Sequence, residues 1–355
     1  MLHTESLASA RVHEEAGLIP PRHDVKPLID AATALLAGKG TYPYYGDSVA
    51  LGYAPPYIPL LAPLALLPRG ATYLISVLAS AGLTVAALAA WARRDGGFPG
   101  WFWAVALALP VVTLVRIDQL MSAWGLAAAT GAVFAQRRGH WWLAGALVGL
   151  ALVRTANTLP ILAMLLLCAW RNPRDHLGLI FGVASVMVPL CAIATWWDVN
   201  WVPHYLHNLQ VLPIVGPVRA MRDAYGSAGP LGLQLVSTGA AVALAWPDRG
   251  GRLDLDHAAM ALAITLLAAV MAGFYAAVFV LPALIRVALR PGLAAVAWMT
   301  AFVPWLVFLA FTTFLLGPTS IQPGILPASI DFVLLAGCYP LLRPRLRPVA
   351  LQAGR

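Results

Sequence analysis

The sequence predicts an all-helical membrane protein that crosses the bilayer many times, and two observations predict it. Hydrophobic residues make up 60% of the 355 residues and charged residues only 11%, whereas a soluble domain carries about 25% charged residues. Small basic clusters also separate the apolar runs at about every second gap, as they do when basic loops stay in the cytoplasm. The clusters are Arg93-Arg94, Arg137-Arg138, Arg171 with Arg174, Arg249 with Arg252, Arg286 with Arg290, and Arg343-Arg345-Arg347.

The net charge of +8 does not indicate nucleic-acid binding. Most of the basic residues lie in the predicted cytoplasmic loops or tail, where anionic lipid and membrane insertion account for them. The three cysteines lie inside apolar runs without a CxxC pattern. They are expected to be small packing residues rather than metal or redox groups.

About eleven apolar runs are predicted within the membrane domain 71–355. Several are shorter than the roughly 20 residues that a full span requires, so we expect tilted or broken helices around a polar cavity. The runs are 71–92, 100–116, 119–135, 141–153, 156–170, 177–195, 229–246, 257–272, 275–289, 293–316 and 324–342.

The basic clusters also predict the orientation of the chain. With these clusters inside, residues 1–70 and the loop 196–228 lie outside, and the basic tail 343–355 lies in the cytoplasm. Residues 1–23 contain no apolar stretch that could export the segment after them. We therefore expect a first transmembrane helix upstream of Met1; the alternative is translocation without a signal.

The predicted external segment contains two specific patterns. Asp24 precedes a short amphipathic helix that Gly38 ends, and the aromatic-proline turn Tyr42-Pro43 follows. The second pattern is Tyr53-Ala54-Pro55-Pro56 with the proline-broken apolar run 58–68. This run is too short to span and suits a helix that lies at the membrane surface or dips into it.

These patterns resemble the GT-C-fold glycosyltransferases of family 87, bacterial enzymes that use polyprenyl-phosphate sugars. In that family an Asp opens the first external loop and leads into a helix of the type D…Y..AA.ALLAG..PY, and a Y.PP stretch follows. The resemblance covers about residues 24–175. Two further matching pieces are Arg116-Ile117-Asp118-Gln119 and the run 144–151 followed by Arg154 and Pro160. The chain departs from the family pattern at three positions, where Leu28 replaces a Tyr, Asp118 a Gly and Arg154 a Lys. The first helix of the family pattern is also absent from this sequence.

The resemblance implies a GT-C bundle and an inverting hexosyl- or pentosyltransferase. It implies transfer of mannose or arabinose from a polyprenyl-phosphate donor to a lipid or glycan acceptor, at the outer face of a bacterial inner membrane. Asp24 is then the general base, because the acceptor hydroxyl must lose its proton as it attacks the anomeric carbon. The alternative is that Asp24 has no catalytic role and simply begins the helix, where Asp is a favoured residue. Asp30 is the fallback base, and Asp47 is a turn residue.

The leaving phosphate requires cations, and Arg116 and Arg154 are expected to face the cavity from the outer ends of adjacent spans. The alternative is that they reach out to lipid headgroups. Asp118 is expected to orient Arg116, and Gln119 to bind a sugar hydroxyl. Tyr53 joins the predicted substrate-binding residues.

In the loop 196–228, His204 and His207 lie three residues apart on one face of a helix. This spacing can bind zinc, but no third ligand is evident, so no metal or other cofactor is predicted. The two histidines either contact the lipid phosphate or acceptor, or belong to an interfacial aromatic belt. The charges Arg219, Arg222 and Asp223 are expected to be solvated; the alternative is that they contact the donor phosphate.

The sequence contains no Walker A loop, GxSxG elbow, HExxH or GxGxxG motif, which agrees with a lipid-linked donor. Two other functions stay open. A transporter or flippase of lipid-linked sugars would also have short, broken spans. A non-catalytic relative of the transferases would suit the departures from the family pattern.

Overall fold

The computed structural model describes an all-helical chain, and no strand occurs in the ranges that it describes. This confirms that the protein is all-helical, as predicted. The described residues are 25–39, 54–93, 120–170, 172–211, 217–244, 253–268, 277–290, 292–293, 335 and 337–338.

The α-helices of the described residues are numbered in chain order. They are α1 (Val25–Leu36), α2 (Ala62–Ala65), α3 (Arg69–Ala92), α4 (Leu120–Arg137), α5 (Trp141–Ala151), α6 (Thr155–Ala169), α7 (Pro173–Trp197), α8 (Trp201–Val211), α9 (Pro217–Tyr225), α10 (Ala228–Leu244), α11 (Leu255–Ile264) and α12 (Leu281–Ala288). Short 3-10 helices cover Pro55–Leu61, Leu152–Arg154, Thr265–Ala268 and Ala277–Phe279.

Helices α3 and α7 are long and apolar enough to cross a membrane. They contain 24 and 25 residues, and their most apolar windows have mean hydropathies of 2.0 and 2.4. Only 33% and 22% of those windows are buried in the protein. Such exposed apolar surface on a long helix is expected of a helix that faces lipid, whereas the core helix of a soluble protein is mostly buried.

The eleven predicted spans are not confirmed. The shorter apolar helices have 10 to 17 residues. Among the described residues of the predicted spans 257–272 and 275–289, α-helix covers Leu255–Ile264 and Leu281–Ala288. Helix α11 gives way to a 3-10 turn at Thr265, whose hydroxyl donates to the Leu262 carbonyl at 2.6 Å. Three further predicted spans lie almost entirely outside the described residues, namely 100–116, 293–316 and 324–342.

The predicted amphipathic helix before Gly38 is confirmed as α1. Gly38 has a φ of +66°, which favours glycine. Its N–H donates to the Leu35 carbonyl at 3.0 Å, and the Lys39 N–H donates to the Ala34 carbonyl at 2.9 Å. These two bonds form the Schellman ending of a helix, so glycine is required where the pattern predicted the stop.

Helix α4 lies at the centre of the bundle. It packs against α3 on one side and α5 on the other, while α5 packs against α7. Its alanines and glycines leave room for these neighbours. The Trp91 indole of α3 donates to the Thr130 hydroxyl of α4 at 3.0 Å and packs edge-on against Phe134. Helices α6, α10, α11 and α12 complete the bundle, and α12 returns to α3.

Helices α5 and α7 run parallel and approach each other closely through glycines. Gly145 of α5 faces Gly182 of α7, and Gly149 of α5 packs against Val186 one turn further along both helices. Each helix carries a glycine pair with the GxxxG spacing, which allows two backbones to approach within a membrane. This contact determines the height of α5 relative to α7.

Candidate functional site

The turn between α5 and α6 lies well below the end of the neighbouring helix. Gly149 lies level with Val186, and α5 ends two residues later at Ala151, whereas α7 continues to Trp197. Helix α7 therefore extends beyond α5 by about nine residues, or about 14 Å at 1.5 Å per residue. We call the region above this turn the Arg154 end of the bundle, because Arg154 is the last residue of the turn.

Threonine hydroxyls satisfy the carbonyl groups of this recessed turn. Thr158 is fully buried and donates to the Ala151 carbonyl at 2.6 Å, with a longer contact to the Arg154 carbonyl at 3.0 Å. Thr155 donates to the Leu152 carbonyl at 2.8 Å. A carbonyl without a partner at this depth would cost several kcal/mol in lipid. The local sequence Arg-Thr-Ala-Asn-Thr is therefore suited to a helix break inside the bundle.

Arg154 is half-buried at the turn and packs across α4. One of its terminal nitrogens, Nη2, donates to the Ser122 hydroxyl at 2.7 Å. Its aliphatic stem lies against Gly125, where an added Cβ would come within 3.2 Å of the Arg154 Cγ. Gly125 and Ser122 thus hold a guanidinium group against the central helix, about 14 Å below the end of α7 by the helix-length estimate above.

A separate hydrophobic cluster covers the Arg154 end and unites the segments that carry the predicted site residues. Each of these segments contributes residues that lie one to four positions from a predicted site residue. They are Leu28 after Asp24, Ala54 after Tyr53, Leu120 after Gln119, Leu152 and Val153 before Arg154, and Tyr205 after His204. Its buried members and their partners include Leu28, Ala54, Tyr57, Leu120, Leu152, Val153, Leu190, Trp197 and Tyr205. Segments distant in sequence thus converge on one end of the bundle.

The 3-10 helix Pro55–Leu61 is part of this cluster rather than a free surface helix. Tyr57 is 1% exposed, and its hydroxyl donates to the Gly149 carbonyl at 2.7 Å and lies 3.2 Å from the Met187 sulfur. Burial raises the pKa of the Tyr57 hydroxyl, so the group stays protonated and can donate. The proline-rich segment is therefore fastened to both α5 and α7, although its outer residue Leu60 is exposed.

Helix α8 presents Trp201, His204 and Tyr205 inward, at helical spacing, and leaves its outer residues exposed. The Nδ1 atom of His204 lies 2.9 Å from Oδ2 of Asp198, the residue that ends α7. The other carboxylate oxygen of Asp198 accepts the Asn200 N–H at 2.9 Å. The carboxylate is thereby held in position between α7 and α8.

Tyr205 connects α8 with Arg154. Its side chain packs against the cluster that contains Val153 and Leu152. Burial raises the pKa of the Tyr205 hydroxyl, and the positive charge of Arg154 opposes that rise. Tyr205 is therefore a hydroxyl donor close to a guanidinium, an arrangement that can bind a phosphate oxygen.

The structure describes some of the sequence-predicted site residues and not others. Arg154 and His204 both lie at the Arg154 end of the bundle, and His207 lies within α8. The residues outside the described part are Asp24, Tyr53, Arg116, Asp118 and Gln119.

Other charged residues are less suited to chemistry. The fallback base Asp30 lies 4.0 Å from Arg69, and both side chains are about one-third exposed. Arg219 and Asp223 pair across one helical turn at 3.4 Å, and their side chains are 41% and 59% exposed. Over the described ranges, no group of three His, Cys, Asp or Glu residues lies close enough to hold a metal ion.

Sequence reasoning missed Ser122, Tyr205 and Asp198. Ser122 and Arg154 are 32 residues apart and meet only through packing. Tyr205 follows a predicted site histidine, and its place on the inward face of α8 was an available signal. Asp198 follows the apolar end of α7 and has no motif around it.

Comparison of the chain with protein-family models, with curated proteins and with solved structures finds no match.

Proposed function

We propose that the protein is an integral membrane glycosyltransferase of the GT-C type. It moves a sugar, mannose or arabinose, from a polyprenyl-phosphate donor to a lipid or glycan acceptor. The observation that carries the proposal is Arg154, a half-buried cation recessed below the end of α7 and preceded by Leu152 and Val153 of the apolar cluster. An ionisable residue recessed in this way is a functional candidate, and a lipid phosphate combines the anion and the apolar tail that suit it.

The chemistry of the transfer gives Arg154 a role. The acceptor oxygen attacks the anomeric carbon, the bond to the phosphate oxygen breaks, and its electron pair leaves with the phosphate. Negative charge grows on the phosphate during this step, and a guanidinium stabilises it through charge-assisted hydrogen bonds. Ser122 and Tyr205 add hydroxyl groups near the same cation. A single displacement of this kind inverts the anomeric centre.

The distribution of basic residues supports an outward-facing reaction in a bacterial inner membrane. Helix α4 runs from Leu120 at the Arg154 end to Arg137 at the opposite end. There Arg137 donates to the Leu253 carbonyl, and Asp256 pairs with two arginines of the α12 end, Arg286 at 2.6 Å and Arg290 at 2.8 Å. Because basic ends stay in the cytoplasm, the Arg154 end would face outside.

A labelled-donor assay tests the proposal. Membranes that contain the protein are incubated with labelled polyprenyl-phosphate sugars, and consumption of each donor is measured. Arg154→Gln should reduce donor use about ten- to a hundred-fold, since a hydrogen bond to a charged group contributes about 1.5–3 kcal/mol. The matched control is Arg93→Gln at the exposed end of α3, which should retain activity. Equal effects of the two substitutions would reduce Arg154 to an interfacial anchor.

A transporter or flippase of lipid-linked sugars is the second candidate, favoured by the helix breaks. The 3-10 turn Leu152–Arg154 separates α5 from α6, and the 3-10 turn Thr265–Ala268 follows α11. A hydrogen bond of 3.2 Å from Asn157 to Thr265 links the two regions. Broken helices that meet inside a bundle are typical of transporters. Movement of the labelled lipid across vesicle membranes without its consumption would favour transport over transfer. Binding of the donor without either effect would indicate a non-catalytic relative.

A further inference from the structure

The pair of Asp198 and His204 lies at the Arg154 end and has no role in the phosphate chemistry described above. The side chain of Asp198 is 11% exposed, and that of His204 is 29% exposed. The carboxylate is fixed on both oxygens, by His204 and by the Asn200 N–H. The imidazole is thus oriented by a nearly buried carboxylate, while part of its own surface is open to a substrate.

The carboxylate determines which imidazole nitrogen carries the proton. An ionised carboxylate can only accept hydrogen bonds, so Nδ1 of His204 must be the donor in the 2.9 Å contact. The neutral ring then has its lone pair on Nε2, which makes Nε2 a proton acceptor. The same relation between Asp and His activates the nucleophile of serine proteases.

The position of His204 relates this base to the proposed phosphate site. His204 and Tyr205 are adjacent on the inward face of α8, and Tyr205 lies close enough to Arg154 to feel its charge. Tyr205 also packs on the cluster that contains Val153, next to Arg154. A proton acceptor and a phosphate-binding cation are therefore contributed to one end of the bundle by α8 and by the α5–α6 turn.

Within the proposed transferase, on which this inference rests, we propose that Nε2 of His204 accepts the proton of the acceptor hydroxyl, and that Asp198 positions the ring. As the acceptor oxygen bonds to the anomeric carbon, its proton moves to Nε2 and the sugar–phosphate bond breaks. The electron pair of that bond leaves with the polyprenyl phosphate. The imidazolium, stabilised by Asp198, then returns its proton to water. The rival base is Asp24, which the family resemblance favours.

Three matched variants in the labelled-donor assay test this assignment. His204→Gln should lower kcat about a hundred-fold or more, the usual contribution of a positioned base, with little change in the KM for the donor. Asp198→Asn should act in the same direction, because the Asn amide donates to Nδ1 and moves the ring proton to Nε2. His140→Gln, an exposed histidine at the opposite end of the bundle, should match the wild-type protein.

Chemical rescue separates proton transfer from a structural role. His204→Ala should regain turnover with added imidazoles, and the regained rate should rise with the basicity of the imidazole. Full activity of His204→Gln together with loss of activity in Asp24→Asn would overturn the inference and assign the proton to Asp24. Rescue independent of basicity would also overturn it. If the wild-type protein consumes no donor, the proposed function fails first, and the inference fails with it.

Discussion

The close contact of α5 and α7 predicts opposite effects of one substitution at two helical glycines. A Cβ added to Gly182 would lie 2.1 Å from the Trp142 carbonyl oxygen, and one added to Gly145 would lie 2.1 Å from the Leu179 carbonyl oxygen. Gly82 of α3 has nothing within 4 Å of an added Cβ. We therefore expect Gly182→Ala to destabilise the protein and Gly82→Ala to be neutral or stabilising.

The geometry gives the size of the effect. A carbon and an oxygen rarely approach closer than about 3.2 Å, so the two helices must separate by about 1 Å near Gly182. A gap of that size removes a quarter to a half of each contact between them. With roughly 20 to 30 atom pairs at about 0.15 kcal/mol each, the loss is about 1–2 kcal/mol. The higher helix propensity of alanine adds about 0.5–1 kcal/mol at both positions. The loss of about 1–2 kcal/mol is therefore the expected difference in stability between Gly182→Ala and Gly82→Ala.

The free energy of unfolding, measured by denaturant titration of the purified protein in detergent, checks this prediction. A double variant adds a second test, because Gly145 and Gly182 share one contact. Once the first alanine has separated the helices, the second should cost less than it does alone, so the two effects should not add. Equal stability of Gly182→Ala and Gly82→Ala would show that α5 and α7 are not in the contact described.

Three further predictions concern orientation and stability. In intact cells, an impermeant thiol reagent should label a cysteine that replaces Ser227 and should not label one that replaces Gly139. The reverse pattern would place the Arg154 end in the cytoplasm. Tyr57→Phe should lower the free energy of unfolding by about 1–3 kcal/mol, because the Gly149 carbonyl loses its hydroxyl donor. An unchanged denaturation midpoint would contradict the buried hydrogen bond. Asp256→Asn should lower the free energy of unfolding by about 2–3 kcal/mol, because it removes the charge that pairs with Arg286 and Arg290. The loss is smaller than for a fully buried ion pair, since the two arginine side chains are 22% and 27% exposed. An unchanged stability would mean that water solvates both arginines when the carboxylate is absent.

Composition and local patterns were sufficient to predict an all-helical protein and several element boundaries. The apolar run at 71–92 corresponds to α3, and the amphipathic run before Gly38 corresponds to α1. These features depend on residues within a few positions of one another, through helical periodicity, left-handed glycine and the composition of a span. The end of α11 was not predictable in this way, because the chain changes from α-helix to a 3-10 turn at Thr265 while the sequence stays apolar.

The sequence by itself identified Arg154 and His204 as polar residues beside apolar helices, and it predicted that both belong to the outer end of the bundle. Only the tertiary structure decided how deeply Arg154 lies and which groups surround it. Its depth follows from the register of α5 against α7, which the contact of Gly145 with Gly182 determines. The Tyr57 hydroxyl meets the Gly149 carbonyl across 92 residues. Such contacts depend on the packing of whole helices, and no local pattern in the chain contains that information.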